Sequence, residues 1–212
     1  MMAARDTSAS PRRRRARRGE GEKLRDQIIE AVEGLLVETG DEEAVTIRAV
    51  ADAVGVTPPS VYLHFSDKDE MLFAVCERLF AELDRITQEA ASGSKDPLES
   101  LALRGRAYIR FGVEHPEQYR ILFMGKRSRT PETFDLERLG DAAAFGHLLE
   151  HVTACVESGL LRGDPLQASM VLWAGVHGLT SLLISKPEFP WPEIDVIADQ
   201  LCRALLYGLG PR

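Results

Sequence analysis

The chain has 212 residues, of which 44% are hydrophobic, with 26 Lys and Arg against 33 Asp and Glu. That is enough apolar material for a substantial core and excludes global disorder, and a net charge of -7 argues against a protein that simply coats nucleic acid. The average conceals an asymmetry: residues 1–25 hold nine basic and three acidic residues, so a +6 segment precedes 187 residues that sum to -13. Cys76, Cys155 and Cys202 are odd in number, widely spaced and outside any metal-ligand pattern, which favours a reducing, cytoplasmic setting. No apolar stretch follows the Arg-rich start as a signal peptide would require. The longest uncharged run, 165–185, is interrupted by Trp173, Gly175, His177 and Gly178 and reads as a buried helix, so no membrane partner is expected.

Residues 1–20 combine small residues, Pro11 and an Arg cluster, and read as a flexible arm. Two readings compete for it: a solubilising tail, or a cationic arm that follows DNA phosphates or enters a minor groove. Leu24, Ile28, Ile29, Val32, Leu35 and Leu36 then recur at helical spacing, predicting a first helix over 22–39 that stops at Gly40. Thr46 fits an N-cap for a short second helix carrying Ile47, Val50, Ala51 and Val54 and ending at Gly55. Thr57 is expected to cap a third, with Pro58 and Pro59 confined to its first turn because their missing N–H groups would have no helical partner. Ser66 or Asp67 starts the fourth. Two short helices joined at a glycine and braced by a longer one form a helix-turn-helix pattern, stable only through packing.

The run TIRAVADAVGVTPPSVYLHFSDKDEML, Thr46 to Leu72, resembles the N-terminal domain of the TetR family of transcriptional regulators. The shared elements are the threonine before the second helix, the alanines around the turn, Gly-Val-Thr, Val-Tyr-Leu-His-Phe and Asp-Lys-Asp-Glu-Met-Leu; they cover about residues 24–72. The paired prolines depart from the commoner pattern and leave few polar side chains for reading bases.

In this frame the helix beginning at Thr57 enters the major groove. Thr57 and Ser60 are the candidates for base-edge or phosphate contacts, while Pro58 and Pro59 are placed to touch thymine methyls. The resemblance implies backbone-contacting roles for Tyr62 and His64, whose O–H and N–H suit phosphate oxygens; partial packing and a solvated helix end are the competing readings. Lys68 pairs with a phosphate at the start of the fourth helix or with Asp67, Asp69 or Glu70. Arg48 and Thr46 are further phosphate candidates. Val50, Ala51, Val54, Val61 and Phe65 are expected in the core. Between Lys23 and Ser66 there are three basic and eight acidic residues, most of the acids on the first helix and the loop after it, on a face expected to point away from DNA.

Beyond Asp67 the pattern remains helical: a long helix to about Ala91, another over 98–113, a short one around 116–124, then 134–158, 165–185 and 193–208. No alternating strand is evident, so the expected fold is all-α with about nine helices: an arm (1–20), a helix-turn-helix domain (21–66) and a helical effector-binding and dimerisation domain (67–212). The stretch MVLWAGVHGLTSLLI is too apolar to stand exposed on a monomer. With the last helix it is expected to form a four-helix homodimer interface using Trp173, Gly175, His177, Gly178, Leu201 and Leu205. Residues 173–178 look like the tryptophan–histidine–glycine signature of one C-terminal type in the family; His177 itself reads as a packing or hydrogen-bonding residue. Effectors of such regulators sit among the central helices, where Tyr108, Phe111, Tyr119, Phe123, Phe134, Phe145, Leu148 and His151 are pocket candidates against plain core packing; a hydrophobic or aromatic small molecule is expected. The basic loop at Lys126–Arg129 is read as solvated or anion-selecting.

His147 and His151 have zinc-compatible i, i+4 spacing, but HLLEH lacks the HExxH order and a third ligand. Gly105 and Gly112 lie in a helix without the strand that a dinucleotide site needs. No nucleophile elbow or P-loop occurs, so neither catalysis nor a cofactor is expected. The expected function is therefore a DNA-binding regulator, a repressor more than an activator, acting as a dimer on a palindromic double-stranded operator; the rival is a helical ligand-binding or interaction protein without specific DNA binding.

Overall fold

The structure is a computed structural model that describes residues 20–124 and 143–210. Among them the regular structure is entirely helical: α1 (Glu20–Thr39), a 3-10 turn (Glu42–Ala44), α2 (Ile47–Val54), α3 (Pro58–Val61), α4 (Lys68–Ala91), α5 (Pro97–Glu114), α6 (Pro116–Phe123), α7 (Ala143–Glu157), α8 (Pro165–Ser185) and α9 (Ile194–Leu209). The loop at Lys126–Arg129, Phe134, and the arm before residue 20 lie outside the described residues.

Short polar side chains set the helix starts. Thr46 Oγ1 accepts from Ala49 N at 3.1 Å, and Asp164 Oδ1 accepts from Gln167 N at 2.9 Å. At α4 the cap is reciprocal: Asp67 Oδ1 takes Glu70 N at 2.8 Å while Glu70 Oε2 takes Ser66 N at 2.6 Å. Gly55 closes α2 with φ 76°. The expected cap at α3 is not made. Thr57 has extended backbone angles, but its hydroxyl lies 3.0 Å from Ser60 Oγ and makes no bond to a backbone N–H. Pro58 and Pro59 have no N–H to offer, and Ser60 N is already bonded to the Thr57 carbonyl at 2.8 Å.

Helix α5 is the centre of the molecule, packed on α4, α6, α7, α8 and α9, while α1 packs on α2, α4 and α6. The larger apolar cluster runs without a break from Ile28 and Val32 through Val50, Phe65, Met71 and Leu83 to Tyr108, Tyr119 and Val176. The small helical head therefore rests directly on the bundle. A second cluster at the far end joins Leu101, Val152, Cys155, Leu161 and Leu172. Two glycines make the central packing possible. A Cβ at Gly112 would collide with Thr180 and Tyr119, and one at Gly175 would lie 2.5 Å from Leu205 Cδ1. Their helix-propensity cost, about 1 kcal/mol each relative to alanine, is offset by the close approach they permit.

One of the acids on α1 is drawn into the protein. Glu33 is largely buried, paired with Arg78 of α4, and its Oε1 accepts from Gln118 Nε2 of α6 at 2.7 Å. It faces inward because α1 lies against both helices, so it ties the head to the bundle. Helix α8 is, among the described residues, the one helix long and apolar enough to cross a membrane, with 33% of its most apolar window buried. Ala168, Ser169, Leu172, Val176, Leu179, Thr180 and Leu183 face the core, and the opposite side is exposed.

Candidate nucleic-acid interface and ligand core

Buried Val61 and Phe65 anchor α3 and the turn after it, and that anchoring turns the intervening residues outward. Thr57, Pro58, Pro59 and Tyr62 are exposed; Ser60 and His64 are half-buried. Tyr62 is 57% exposed and Leu63 81%. Thr46 and Arg48 are exposed at the start of α2, the threonine already using its hydroxyl as a cap. Lys68, in the first turn of α4, lies 3.7 Å from Glu43 of the 3-10 turn, a partner different from its expected neighbours Asp67, Asp69 and Glu70. Val50, Ala51, Val61 and Phe65 are in the core, with Val54 packed at its margin. Arg25 sits over the Phe65 ring at 5.1 Å, so this cation braces the turn. Leu63 had no role among the sequence expectations. Its outward direction was nevertheless implicit in the four-residue spacing of Val61 and Phe65.

In the bundle, Tyr108, Tyr119, Phe123, Phe145, Trp173 and His177 form one continuous ring cluster drawn from α5, α6, α7 and α8. Its polar atoms are chained. Tyr119 Oη lies 2.6 Å from His177 Nδ1, Tyr108 Oη lies 3.2 Å from Tyr119 Oη, and His177 Nε2 faces Ser181 Oγ at 3.4 Å. A neutral imidazole has one acceptor nitrogen; with Nδ1 in that role the closer Tyr119 hydroxyl donates to it, the Tyr108 hydroxyl lies within reach of both Nδ1 at 3.1 Å and Tyr119 Oη, and the Nε2–H points to Ser181. Burial holds the His177 ring below its ordinary pKa and pushes both tyrosines up, so all three groups are neutral. Phe111 points elsewhere: it meets His115 and lines a groove of about 440 Å³ with Ile86, Leu103 and Arg110. His151 belongs to a polar group with Arg104 and the His147 carbonyl. Among the described residues no set of three His, Cys, Asp or Glu is arranged to hold a metal ion.

Comparison with known proteins matches both ends of this architecture. Residues 28–75 match the family of bacterial regulatory proteins of the tetR type, and residues 101–206 match the tetracyclin repressor-like C-terminal domain. The chain is 32% identical over 188 residues to the HTH-type transcriptional activator FasR of Mycolicibacterium smegmatis, covering 88% of this chain and 80% of that protein. The chain belongs to the TetR family. It is also 33% identical over 191 residues to the probable HTH-type transcriptional regulator ArpR of Pseudomonas putida, covering 85% of this chain and 87% of that one. A TetR family transcription regulator from Marinobacter aquaeolei has the same fold, with a TM-score of 0.71 at 22% identity over 90% of this chain and 97% of that one. TetR-family proteins are characteristically non-enzymatic DNA-binding regulators.

The C-terminal helices of this TetR-family chain distribute the expected interface residues between inside and outside. His177 turns into the ring cluster, Leu201 packs on the larger core, and Gly175 and Leu205 meet each other within the chain. Trp173 is 39% exposed, with its ring against Phe123, Phe145 and His177. Gly178 lies on the open side of α8, where a side chain in place of its hydrogen would meet no atom within 4 Å. That side carries Met170, Val171, Ala174 and Leu182, and the open side of α9 carries Val196, Ala204 and Tyr207. The sequence marked the whole stretch around the α8 residues as too apolar to stand exposed, and Ala174 as small enough for close helix approach, without showing which side faces out. An α8 that is apolar all round gives no periodic signal for which side faces out. Cys76, Cys155 and Cys202 are buried; burial pushes the Cys202 thiol up to about 11.

Proposed function

We propose that the protein is a sequence-specific transcriptional regulator that binds a palindromic operator as a homodimer and is released by a small apolar or aromatic effector, acting in the cytoplasm. The observation that carries this reading is the outward surface of Thr57, Pro58, Pro59 and Tyr62, held by Val61 and Phe65 on a head that rests on the bundle. The reading head is residues 21–66. Thr57 and Ser60 contact base edges or phosphate, the prolines and Leu63 contact thymine methyls, and Thr46, Arg48, Tyr62, His64 and Lys68 contact the backbone. Residues 1–20 add a cationic arm.

Residues 67–212 bind the effector and dimerise. The ring cluster of Tyr108, Tyr119, Phe123, Phe145, Trp173 and His177 is the body of the effector site, and the signature reading of residues 173–178 is supported by the convergence of Trp173 and His177 on it. Tyr119 and Phe123 lie on α6 beside Gln118, which holds Glu33 of α1, so a ligand that displaces α6 acts directly on the head. The dimer forms through the open sides of α8 and α9, where Ala174 and Gly178 permit close helix contact between Met170, Val171 and Leu182. Repression is the default direction because a dimer seated on a promoter blocks polymerase without a further surface; FasR, an activator by name, shows the alternative within the family.

Footprinting of the purified protein on DNA flanking its own gene tests this reading. Saturable, two-fold-symmetric protection is expected, whereas salt-sensitive binding without sequence preference supports the rival interaction-protein reading.

A further inference from the structure

We propose that the junction of α4, α5 and α7 is a head-group subsite for an organic monocarboxylate, with Arg104 as the binding cation and His151 as the residue that orients it. This deepens the effector reading above and rests on it.

The starting observation is an arginine with too few partners. Arg104 lies half-buried on α5, and its Nε is buried with no hydrogen-bond partner. Its Nη2 lies 3.0 Å from His151 Nε2. Among the described residues no carboxylate stands within ion-pair distance of it. Arg78, Arg106 and Arg120, also half-buried, each hold at least one: Glu33, Glu99 with Asp199, and Glu117. A guanidinium carries five N–H donors and a permanent charge, and removing it from water without a counter-ion is costly. Burial accordingly draws the Arg104 pKa below the usual value.

The neighbours do not relieve this. Asp84 acts on Arg104 at a distance, but its two oxygens are engaged, Oδ1 with His147 Nδ1 at 2.8 Å and Oδ2 with Gln88 Nε2 at 2.6 Å. His151 Nδ1 donates to the His147 carbonyl at 2.7 Å, which makes Nε2 the acceptor for Arg104. The His151 ring therefore positions the guanidinium without balancing its charge. Asp84 in turn spends its charge on a histidine N–H and an amide.

The missing group is one that accepts from Nε and a terminal nitrogen together and carries a single negative charge. A carboxylate does both in bidentate geometry. A phosphate dianion would overcompensate one guanidinium and face Asp84 nearby, so it fits less well. Two rings of the cluster stand on the same helices as the subsite residues. Tyr108 follows Arg104 by one turn of α5, and Phe145 precedes His151 on α7; both rings belong to that cluster. The geometry thus describes an amphipathic ligand, with its head on Arg104 and its apolar body among the rings.

The test is calorimetric titration of the full-length protein with decanoate, phenylpropanoate and their primary amides, alongside operator binding by the same preparations. At least one carboxylate should bind roughly tenfold or more tightly than its amide. Arg104→Gln and the apolar Arg104→Met should both lose that preference while keeping amide affinity and thermal stability; the two variants guard against a misfolded one. Equal affinity for acid and amide, no binding of either acid, or undiminished acid preference in both variants overturns the subsite. The two readings fail separately. Acid binding that leaves operator occupancy unchanged keeps the subsite and overturns effector release, whereas release by acids and amides alike keeps effector release and overturns the subsite.

Discussion

At the scale of single residues, the reading head depends on side chains whose packing leaves one polar atom free. Tyr62 is more than half exposed, and among the described residues no hydrogen bond is recorded for its hydroxyl. Tyr62→Phe should therefore leave the melting temperature unchanged while weakening operator binding by about 1 kcal/mol, the worth of one hydrogen bond to phosphate. Equal affinity in a fluorescence titration would place the hydroxyl away from DNA. In the bundle, His177 supplies a pH dependence of definite sign. Burial holds its folded pKa below the ordinary histidine value of 6.5, so below that pH the unfolded chain binds more protons than the folded one. Stability is fully present above about pH 6.5 and falls as pH drops through the window beneath it. His177→Gln keeps an acceptor for Tyr119 and removes the titration. Thermal melts between about pH 7 and about pH 5 should show a smaller decline for the variant than for the wild type; parallel declines would assign the dependence to other groups.

At the scale of elements, the helices were legible because their stop and start signals are local. Gly55 and Asp67 stand at the ends that the sequence marks, Asp96 and Asp164 cap α5 and α8, and the prolines at 58, 97, 116 and 165 occupy first turns. Sequence reasoning failed where a choice depends on tertiary contact. The α3 cap fails because two prolines and one carbonyl use up or remove every donor. Glu33 was expected only to point away from DNA, and nothing local in the sequence marks that α4 and α6 close over it. Leu201 and Leu205, expected at an interface, are only partly covered by their own chain, and composition alone does not divide such a residue between core and interface. Gly112 shows the same dependence in a testable form. It is an ordinary mid-helix glycine in sequence, yet its missing side chain is where Thr180 and Tyr119 sit. Gly112→Ala should gain helix propensity and still destabilise the fold by about 1–3 kcal/mol through overpacking, lowering the melting temperature by several degrees. A neutral or raised melting temperature would mean that α6 and α8 can move aside. The arm is an element of a different kind, defined by charge alone. Deleting residues 1–18 should weaken binding to all DNA sequences and reduce the salt slope by about 0.9 for each phosphate that the arm had neutralised; an unchanged slope in titrations at several salt concentrations would make it a solubilising tail.

At the scale of the whole molecule, the charge distribution and the open apolar face call for the same assembly. A head with three basic and eight acidic residues between Lys23 and Ser66 has little general attraction for DNA, so recognition must come from a few placed contacts. One such head reads only a few base pairs, and two heads related by a two-fold axis double both contacts and specificity. In the proposed dimer that axis runs through the outer side of α8, where Met170, Val171, Ala174 and Leu182 are exposed together and Gly178 leaves room for a facing helix. A contiguous apolar face of this kind on a water-exposed helix is stabilised by association. Ala174→Glu sets a charge at the centre of the face without touching the inward residues Leu172, Val176 and Leu179. It should shift sedimentation from dimer to monomer at micromolar concentration while far-UV circular dichroism stays unchanged. The monomer should then lose affinity for a full palindrome by roughly a hundredfold or more, and retain wild-type affinity per head for an isolated half-site. A variant that remains dimeric, or a monomer that binds the full palindrome as tightly as the wild type does, would move the two-fold axis to another surface or remove the need for it.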